Sequence, residues 1–293
     1  MNGPVVVTGG AGSVGRLLVQ RCLAHGHRVR VFDLPGCDFS GLEGQAGVEI
    51  CRGDITDAAA VRQAVRGAGA VVHLAALLPP ASERDRARTF AINVQGTAHV
   101  VEAMAAAARD AVLVFSSSVS TYGDTTAATP PIRVTHPQAA LDVYAESKIA
   151  AERLVRQAPR PALILRIAGI AVPALQEPPE EWPFTAEQRL EMVHRDDVVT
   201  ALYHALVTPQ AWGLTLNIAG GPSWQLTGRQ YVADLYALLG VPLELARFRD
   251  PSRPGWVDWY DTEASQRLLR YQDHPYPAYL EALRAEVARL LAE

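Results

Sequence analysis

Cysteine is scarce in this chain. Its 293 residues hold three, Cys22, Cys37 and Cys51, an odd number at no metal-ligand spacing, so no disulfide framework is encoded and a reducing compartment is expected. Eight histidines are present, yet none forms His-x-x-x-His or sits in a Cys/His cluster, and no metal site is expected. Basic charge is not in excess: the net charge is −4, which argues against nucleic acid as a partner. Long uninterrupted apolar runs are missing too. The most apolar stretches are broken by His73, Pro79-Pro80 or Arg166, and the first strand starts at about residue 4, leaving no room for a signal peptide. A soluble, cytoplasmic protein without a membrane segment is the expectation. Internal repeats, heptads and low-complexity tails are also lacking. What the chain does have is a composition 49% hydrophobic and 20% charged, enough to bury a large core as one compact unit or two lobes.

The most informative stretch is Val5-Val6-Val7-Thr8-Gly9-Gly10-Ala11-Gly12-Ser13-Val14-Gly15, an apolar strand that runs into a glycine-rich turn and then a helix. Without a Cβ at Gly9, Gly12 and Gly15 the backbone can turn tightly, admit a phosphate and pack the helix close to the strand. The free N–H groups at the helix start, around Ser13 and Val14, then point at the anion. A second strand, Val29 to Phe32, ends in Asp33, 18 residues beyond Gly15. An acid there accepts hydrogen bonds from both hydroxyls of an adenosine ribose. A 2′-phosphate would face a carboxylate, and two like charges about 4 Å apart at an effective dielectric near 20 repel by roughly 4 kcal/mol. The expected cofactor is therefore NAD rather than NADP, and Leu34-Pro35 supplies no arginine to offset the repulsion.

Strands and helices alternate along the first 170 residues, with strands near 4–8, 28–33, 47–51, 70–74, 111–116 and 162–167 and helices near 13–25, 57–66, 85–108 and 142–158. That order predicts an α/β fold with a doubly wound parallel sheet. From about residue 171 a loop from Pro173 to Pro183, carrying Glu177, Glu180 and Glu181, marks a smaller C-terminal substrate lobe, residues 171–293. A strand at Leu214 to Ile218 is expected to return to the main sheet, so that the lobe interleaves with the dinucleotide-binding domain, residues 1–170. The apolar stripe of the last helix, Tyr279 to Leu291, reads as core packing.

The chemistry is expected at Tyr144-Ala145-Glu146-Ser147-Lys148, which puts a phenol and an ammonium on one face of a helix. A free tyrosine has a pKa near 10, so work as a phenolate near neutral pH needs a shift of about three units, or roughly 4 kcal/mol. A neighbouring Lys148 ammonium and a nicotinamide cation both act in that direction. The tyrosine would then remove a proton from a carbinol as hydride leaves, or return one to a ketone. Phe115-Ser116-Ser117-Ser118-Val119-Ser120-Thr121-Tyr122-Gly123 places hydroxyls at the carboxyl end of a strand, where one serine can hydrogen-bond the reacting oxygen.

These strings together resemble the extended short-chain dehydrogenases/reductases, the NAD-dependent epimerase/dehydratase family. Thr8-Gly9-x-x-Gly12-x-x-Gly15 is similar to its cofactor turn and Tyr144-x-x-Ser147-Lys148 to its catalytic helix. Gly53-Asp54-Ile55-Thr56-Asp57 resembles its adenine-side segment, and His73-Leu74-Ala75-Ala76 its strand end beside the cofactor. The resemblance thus implies that Asp54, Ile55, Leu74, Ala75 and Ala76 contact NAD, together with Tyr144 and Lys148. It makes Ser118, five residues before Gly123, the catalytic hydroxyl. His194-Arg195-Asp196-Asp197-Val198, Asn217-Ile218-Ala219-Gly220-Gly221 and Arg253-Pro254-Gly255 resemble later landmarks, and Arg253 matches an arginine that grips a nucleotide diphosphate.

The departures bear on substrate. Sugar-nucleotide epimerases of the family carry Asn where this chain has Gly169 and Arg where it has Leu190, and the acid that follows the glycine is here Trp256. Arg189 stands next to the missing cation and is a candidate to replace it. Val119-Ser120 stand where dehydratases carry an acidic pair, which disfavours elimination. The leading expectation is an NAD-dependent oxidoreductase or epimerase acting at a secondary alcohol or ketone of a sugar or sugar nucleotide. The alternatives are a ketoreductase of a polycyclic or natural-product ketone, with Trp182, Phe184 and Trp256 in its pocket, and a non-catalytic NAD-binding regulator. A homodimer through the helices near 85–108 and 142–158 is compatible with the Ala-rich face at Ala103 to Ala108.

Overall fold

The computed structural model describes residues 3–108, 110–158, 162–174, 177–253 and 255–292. β1 (Val5–Thr8) leads into α1 (Ser13–Ala24), followed by β2 (Val29–Asp33), β3 (Val48–Arg52), α2 (Ala58–Val65) and β4 (Ala70–His73). Four helical pieces come next: α3 (Ala81–Arg84), α4 (Arg86–Phe90), a π-helical segment (Ala91–Gln95) and α5 (Gly96–Ala107). Then come β5 (Val112–Ser118), α6 (Val143–Arg156) and β6 (Leu163–Ile167). The C-terminal part comprises β7 (Gly169–Ala171), β8 (Arg189–Leu190), β9 (Met192–His194), α7 (Arg195–Val207), β10 (Thr215–Ile218), β11 (Leu226–Thr227), α8 (Gly228–Leu239), α9 (Glu263–Leu269) and α10 (Tyr276–Ala292).

The main sheet has seven strands in the order β10-β6-β5-β4-β1-β2-β3, every neighbouring pair parallel. Period-two alternation divides its side chains between two layers. Val5, Val7, Val31, Val72, Val114 and Leu165 face the core under α1 and α7, whereas Val6, Phe32, Val71, Leu113, Phe115 and Ile164 face the core under α2, α5 and α6. Both faces are covered, so the strands are apolar almost throughout. Strand order reverses between β1 and β4, and the crevice at their carboxyl ends is where ligands bind in such sheets. Thr215–Ile218 pairs with Ile164–Ile167, so the chain does return to the main sheet after residue 171. Among the described residues no helix is long and apolar enough to cross a membrane.

The helix expected near 85–108 is present as one helical run from Arg86 to Ala107, started by Asp85, which is extended (φ −146°) and whose carboxylate accepts from the Arg88 N–H at 2.9 Å. The wider π-helical turn that follows carries the buried Asn93. Trp182 and Phe184, expected at a substrate pocket, stack on each other at 5.6 Å and pack with Tyr231, Tyr276 and Tyr279 in a separate aromatic core. That core also takes in Leu190 and, from α10, Tyr276, Tyr279, Leu280 and Leu283, whereas Leu290, further along the stripe expected to be core, is exposed.

Candidate active site

Each glycine of the first turn is there for a different reason. Gly9 has φ +71°, where a side chain is strained, and a Cβ on Gly15 would lie 2.4 Å from the Gly9 carbonyl oxygen. Gly12 is different: its φ of −72° and ψ of 169° suit any residue, and a Cβ would meet only the Gly9 oxygen, at 3.3 Å. The fold has little need of glycine at position 12, so the missing side chain leaves space for a ligand. No side chain caps the start of α1 and no acid occupies its first turn, which leaves its N–H groups to an anion. Asp33 braces the turn, its Oδ2 accepting from the Ala11 N–H at 2.9 Å and its Oδ1 from Leu34 at 2.9 Å. The Cys37 thiol also donates to Oδ1, at 3.3 Å, and since a carboxylate has about four acceptor positions Asp33 keeps capacity for a ribose hydroxyl. This cradle fits a dinucleotide. Gly12→Ala is expected to weaken NAD binding about tenfold or more while leaving the unliganded melting temperature unchanged, whereas Gly15→Ala should lower that temperature; calorimetry and a thermal melt separate the two.

A cavity of about 1050 Å³ opens from this turn along the carboxyl ends of the strands. Gly9, Gly12, Ser13, Val14, Gly15, Asp33, Asp54 and Ile55 line one end, and Leu74, Ala75 and Ala76 continue the wall. Ser118, Tyr144, Gly169 and Trp256 also line it. Lys148 sits behind, buried, its Nζ donating to the Ser116 carbonyl at 2.8 Å and standing 5.7 Å from the centre of the Tyr144 ring.

The Ser118 hydroxyl is oriented by its neighbours. Its Oγ accepts from the Ser120 N–H at 3.1 Å and from the Ser120 hydroxyl at 2.9 Å, so both lone pairs are used and its hydrogen is free to donate. Tyr144 lines the same cavity wall as Ser118. Burial pushes the Tyr144 phenol above its usual range and Asp142 adds to that, with Ser118 acting in the opposite sense. The spacing of Tyr144 and Lys148 revealed a neighbouring charge but not this desolvation. Burial also lowers Lys148 from 10.5 to about 8, against the pull of Glu152. Lys148 is the chain's single lysine, so ¹⁵N-lysine labelling should show one side-chain signal titrating near pH 8. Since its folded pKa lies below the unfolded value, its contribution to stability should rise with pH between about 8 and 10.5.

Two polar chains, neither evident from the sequence, meet at Asn93 and together join the cavity wall to α6. In the first, the Ala75 N–H donates to the Thr8 hydroxyl (3.2 Å), which donates to His73 Nδ1 (2.7 Å); His73 Nε2 donates to Thr97 (3.0 Å), and Thr97 donates to the Asn93 carbonyl (2.6 Å). This requires a neutral ring, and burial lowers the His73 pKa to about 3. In the second, the Asn93 side chain accepts from the Leu77 N–H at 2.7 Å and donates to Ser147 at 2.9 Å, and Ser147 donates to the Tyr144 carbonyl at 2.7 Å.

The structure does not bring the two anticipated anion-binding arginines to the cavity. Arg189 is clamped by both oxygens of Asp258, at 2.5 and 2.9 Å, and also bonds the carbonyls of Thr125 and Ala128. Arg253 pairs with Glu181, and neither arginine lines the cavity; Pro254 lies outside the described residues. His194, Asp196 and His274 do bring ligand atoms within 4.8 Å of one another, which sequence spacing did not reveal. His194 Nδ1, however, accepts from the Asp196 N–H at 3.2 Å as the cap of α7, which puts the ring hydrogen on Nε2 and leaves that nitrogen no lone pair for a metal.

Fold and site together define a dinucleotide-binding α/β protein with a serine, a tyrosine and a lysine assembled at the sheet's switch point. The chain belongs to the NAD dependent epimerase/dehydratase family, whose model matches residues 5–171, and NAD is accordingly its cofactor. A 3 beta-hydroxysteroid dehydrogenase/Delta 5-->4-isomerase of Mycobacterium tuberculosis is 38% identical over 158 residues, covering 52% of this chain and 42% of that protein. UDP-glucose 4-epimerase of Streptomyces lividans is 33% identical over 160 residues, covering 53% and 47%. The chain thus spans less than half the length of these relatives. Among solved structures, a short-chain dehydrogenase/reductase superfamily protein of Agrobacterium tumefaciens with bound NAD superposes with a TM-score of 0.82 at 25% identity, covering 98% of each chain.

Proposed function

We propose that this protein is an NAD-dependent oxidoreductase that interconverts a secondary alcohol and a ketone. The observation that carries the reading is the Ser118 hydroxyl, its lone pairs filled by Ser120, on the same wall as Tyr144 in a cavity that begins at the glycine cradle. Bound NADH supplies the hydride, and NAD accepts it in the reverse direction. Tyr144 donates its phenolic proton to the substrate oxygen as the ketone is reduced, a role that suits a phenol kept protonated by burial. Ser118 donates a hydrogen bond to the same oxygen. Lys148 favours the phenolate left behind and, through Ser116, holds the helix against β5. A non-catalytic regulator would need neither the oriented serine nor the buried ammonium. The names of the relatives divide between a sugar nucleotide and a steroid, so the substrate class rests on the chain's own pocket.

Asp33 provides a direct test of the cofactor assignment. NAD(H) should bind at least about tenfold more tightly than NADP(H) by calorimetry. Equal affinities would remove Asp33 from the ribose and the dinucleotide reading would need another anchor.

A further inference from the structure

The reacting end of the cavity is polar at one spot and apolar around it. Tyr144, Ser118 and Ser120 cluster where a single oxygen would sit, while Ile167, Ile170 and Trp256 supply apolar surface. Behind this surface Met192 fills the space beside Gly169, its sulphur 2.6 Å from where a Cβ would stand, so no polar side chain fits at position 169 without displacing it. Charge is equally one-sided. Among the described lining residues the one cation is Arg88, on α4, whereas Asp142 lines the cavity close to Tyr144. Arg189 and Arg253 are held by Asp258 and Glu181, and Arg166 is held by Glu152. A diphosphate would therefore meet a single lining cation, Arg88, and the carboxylate of Asp142, in place of a set of arginines arranged to grip it.

From this pocket, and resting on the oxidoreductase reading above, we infer that the substrate is an uncharged, largely apolar cyclic ketone or secondary alcohol, not a nucleoside-diphosphate sugar. Its single oxygen is held by Ser118 and Tyr144, and its ring body lies against Ile170 and Trp256. The reduction balances: one hydride from NADH goes to the carbonyl carbon, one proton from Tyr144 goes to its oxygen, and solvent reprotonates the phenolate.

The test uses the full chain saturated with NADH. trans-1-Decalone and 4-phenylcyclohexanone are the apolar probes, with UDP and UDP-glucose as the charged ones, read by thermal shift and by NADH absorbance at 340 nm. At least one ketone should raise the melting temperature by about 2 °C or more and consume NADH, while neither UDP compound shifts it. Trp256→Ala should weaken the ketone response about tenfold without changing NADH affinity, and Arg253→Ala should change neither. A shift with UDP-glucose, or indifference to both ketones, overturns the inference while leaving the cofactor reading intact. Failure of NADH itself to bind would instead overturn the oxidoreductase reading.

Discussion

Tyr144→Phe is expected to lower turnover by about 10² to 10⁴ while leaving the fold and NAD affinity unchanged. The substitution removes one oxygen from a ring that the surrounding helix still holds, because Ser147 donates to the Tyr144 carbonyl and Asn93 donates to the Ser147 hydroxyl, neither bonding the phenol. Ser118→Ala should cost less, since it removes a hydrogen-bond donor and not the proton source, and the double variant should lose less than the sum because the two hydroxyls act on one atom. Steady-state kinetics of the three variants with a ketone and NADH, beside calorimetric NADH affinities, check this. Turnover near the wild-type level in Tyr144→Phe would mean that another group delivers the proton.

The second large effect is structural. Glu152, one turn beyond Lys148 on the same face of α6, is fully buried and takes hydrogen bonds from Ser117 (2.6 Å), Gln138 (3.0 Å), Arg156 (2.8 Å) and the Nε and Nη2 of Arg166 (2.9 and 2.8 Å). Burial alone would raise its pKa, but the Arg166, Ser117 and Arg156 bonds outweigh it and hold the carboxylate below its usual range. Arg166 in turn lies 4.8 Å from the centre of the Tyr122 ring, and the Tyr122 hydroxyl donates to Asn217 at 2.6 Å, which ties β6 and β10 to the loop after β5. Glu152→Ala should therefore cost about 3–5 kcal/mol of stability, because it leaves the Arg166 charge buried without a partner. Replacing both members, as in Glu152→Leu with Arg166→Met, should recover much of that loss. Chemical denaturation of the single and double variants measures both quantities. The stability attributable to the depressed Glu152 pKa is present above the ordinary glutamate range and is lost as pH falls through the folded value.

Local signals carried the sheet and brought Ser118 and Tyr144 to one cavity. Apolar runs flanked by glycine and aspartate gave away the strands, the strand–turn–helix order gave meaning to Gly9, Gly12 and Gly15, and one helical turn joined Tyr144 to Lys148. The same periodicity extended one turn further would have reached Glu152. What escaped the sequence is what depends on distant partners. Asp258 is 69 residues from Arg189 and Glu181 is 72 from Arg253, so two arginines that read as free cations are engaged. His73 looked like an interruption in an apolar strand and is instead a neutral link between Thr8 and Thr97. Asn93 became visible only through the π-helical segment that turns it inward. Tyr144 shows the same limit in energetic form: spacing exposes a neighbouring charge, while desolvation is a property of the assembled fold.

The central claim is that this cavity moves a hydride to or from a carbinol carbon with Tyr144 as the proton partner. The most direct measurement is mass spectrometry of the alcohol formed from a cyclic ketone and 4-deuterated NADH, each C4 face tested separately, with wild type and Tyr144→Phe side by side. The account predicts deuterium on the carbinol carbon from one face of the cofactor alone, with at least about 10²-fold less labelled product per unit time from the variant. Labelled product formed equally fast by the variant, or alcohol formed without label from either face, would contradict it.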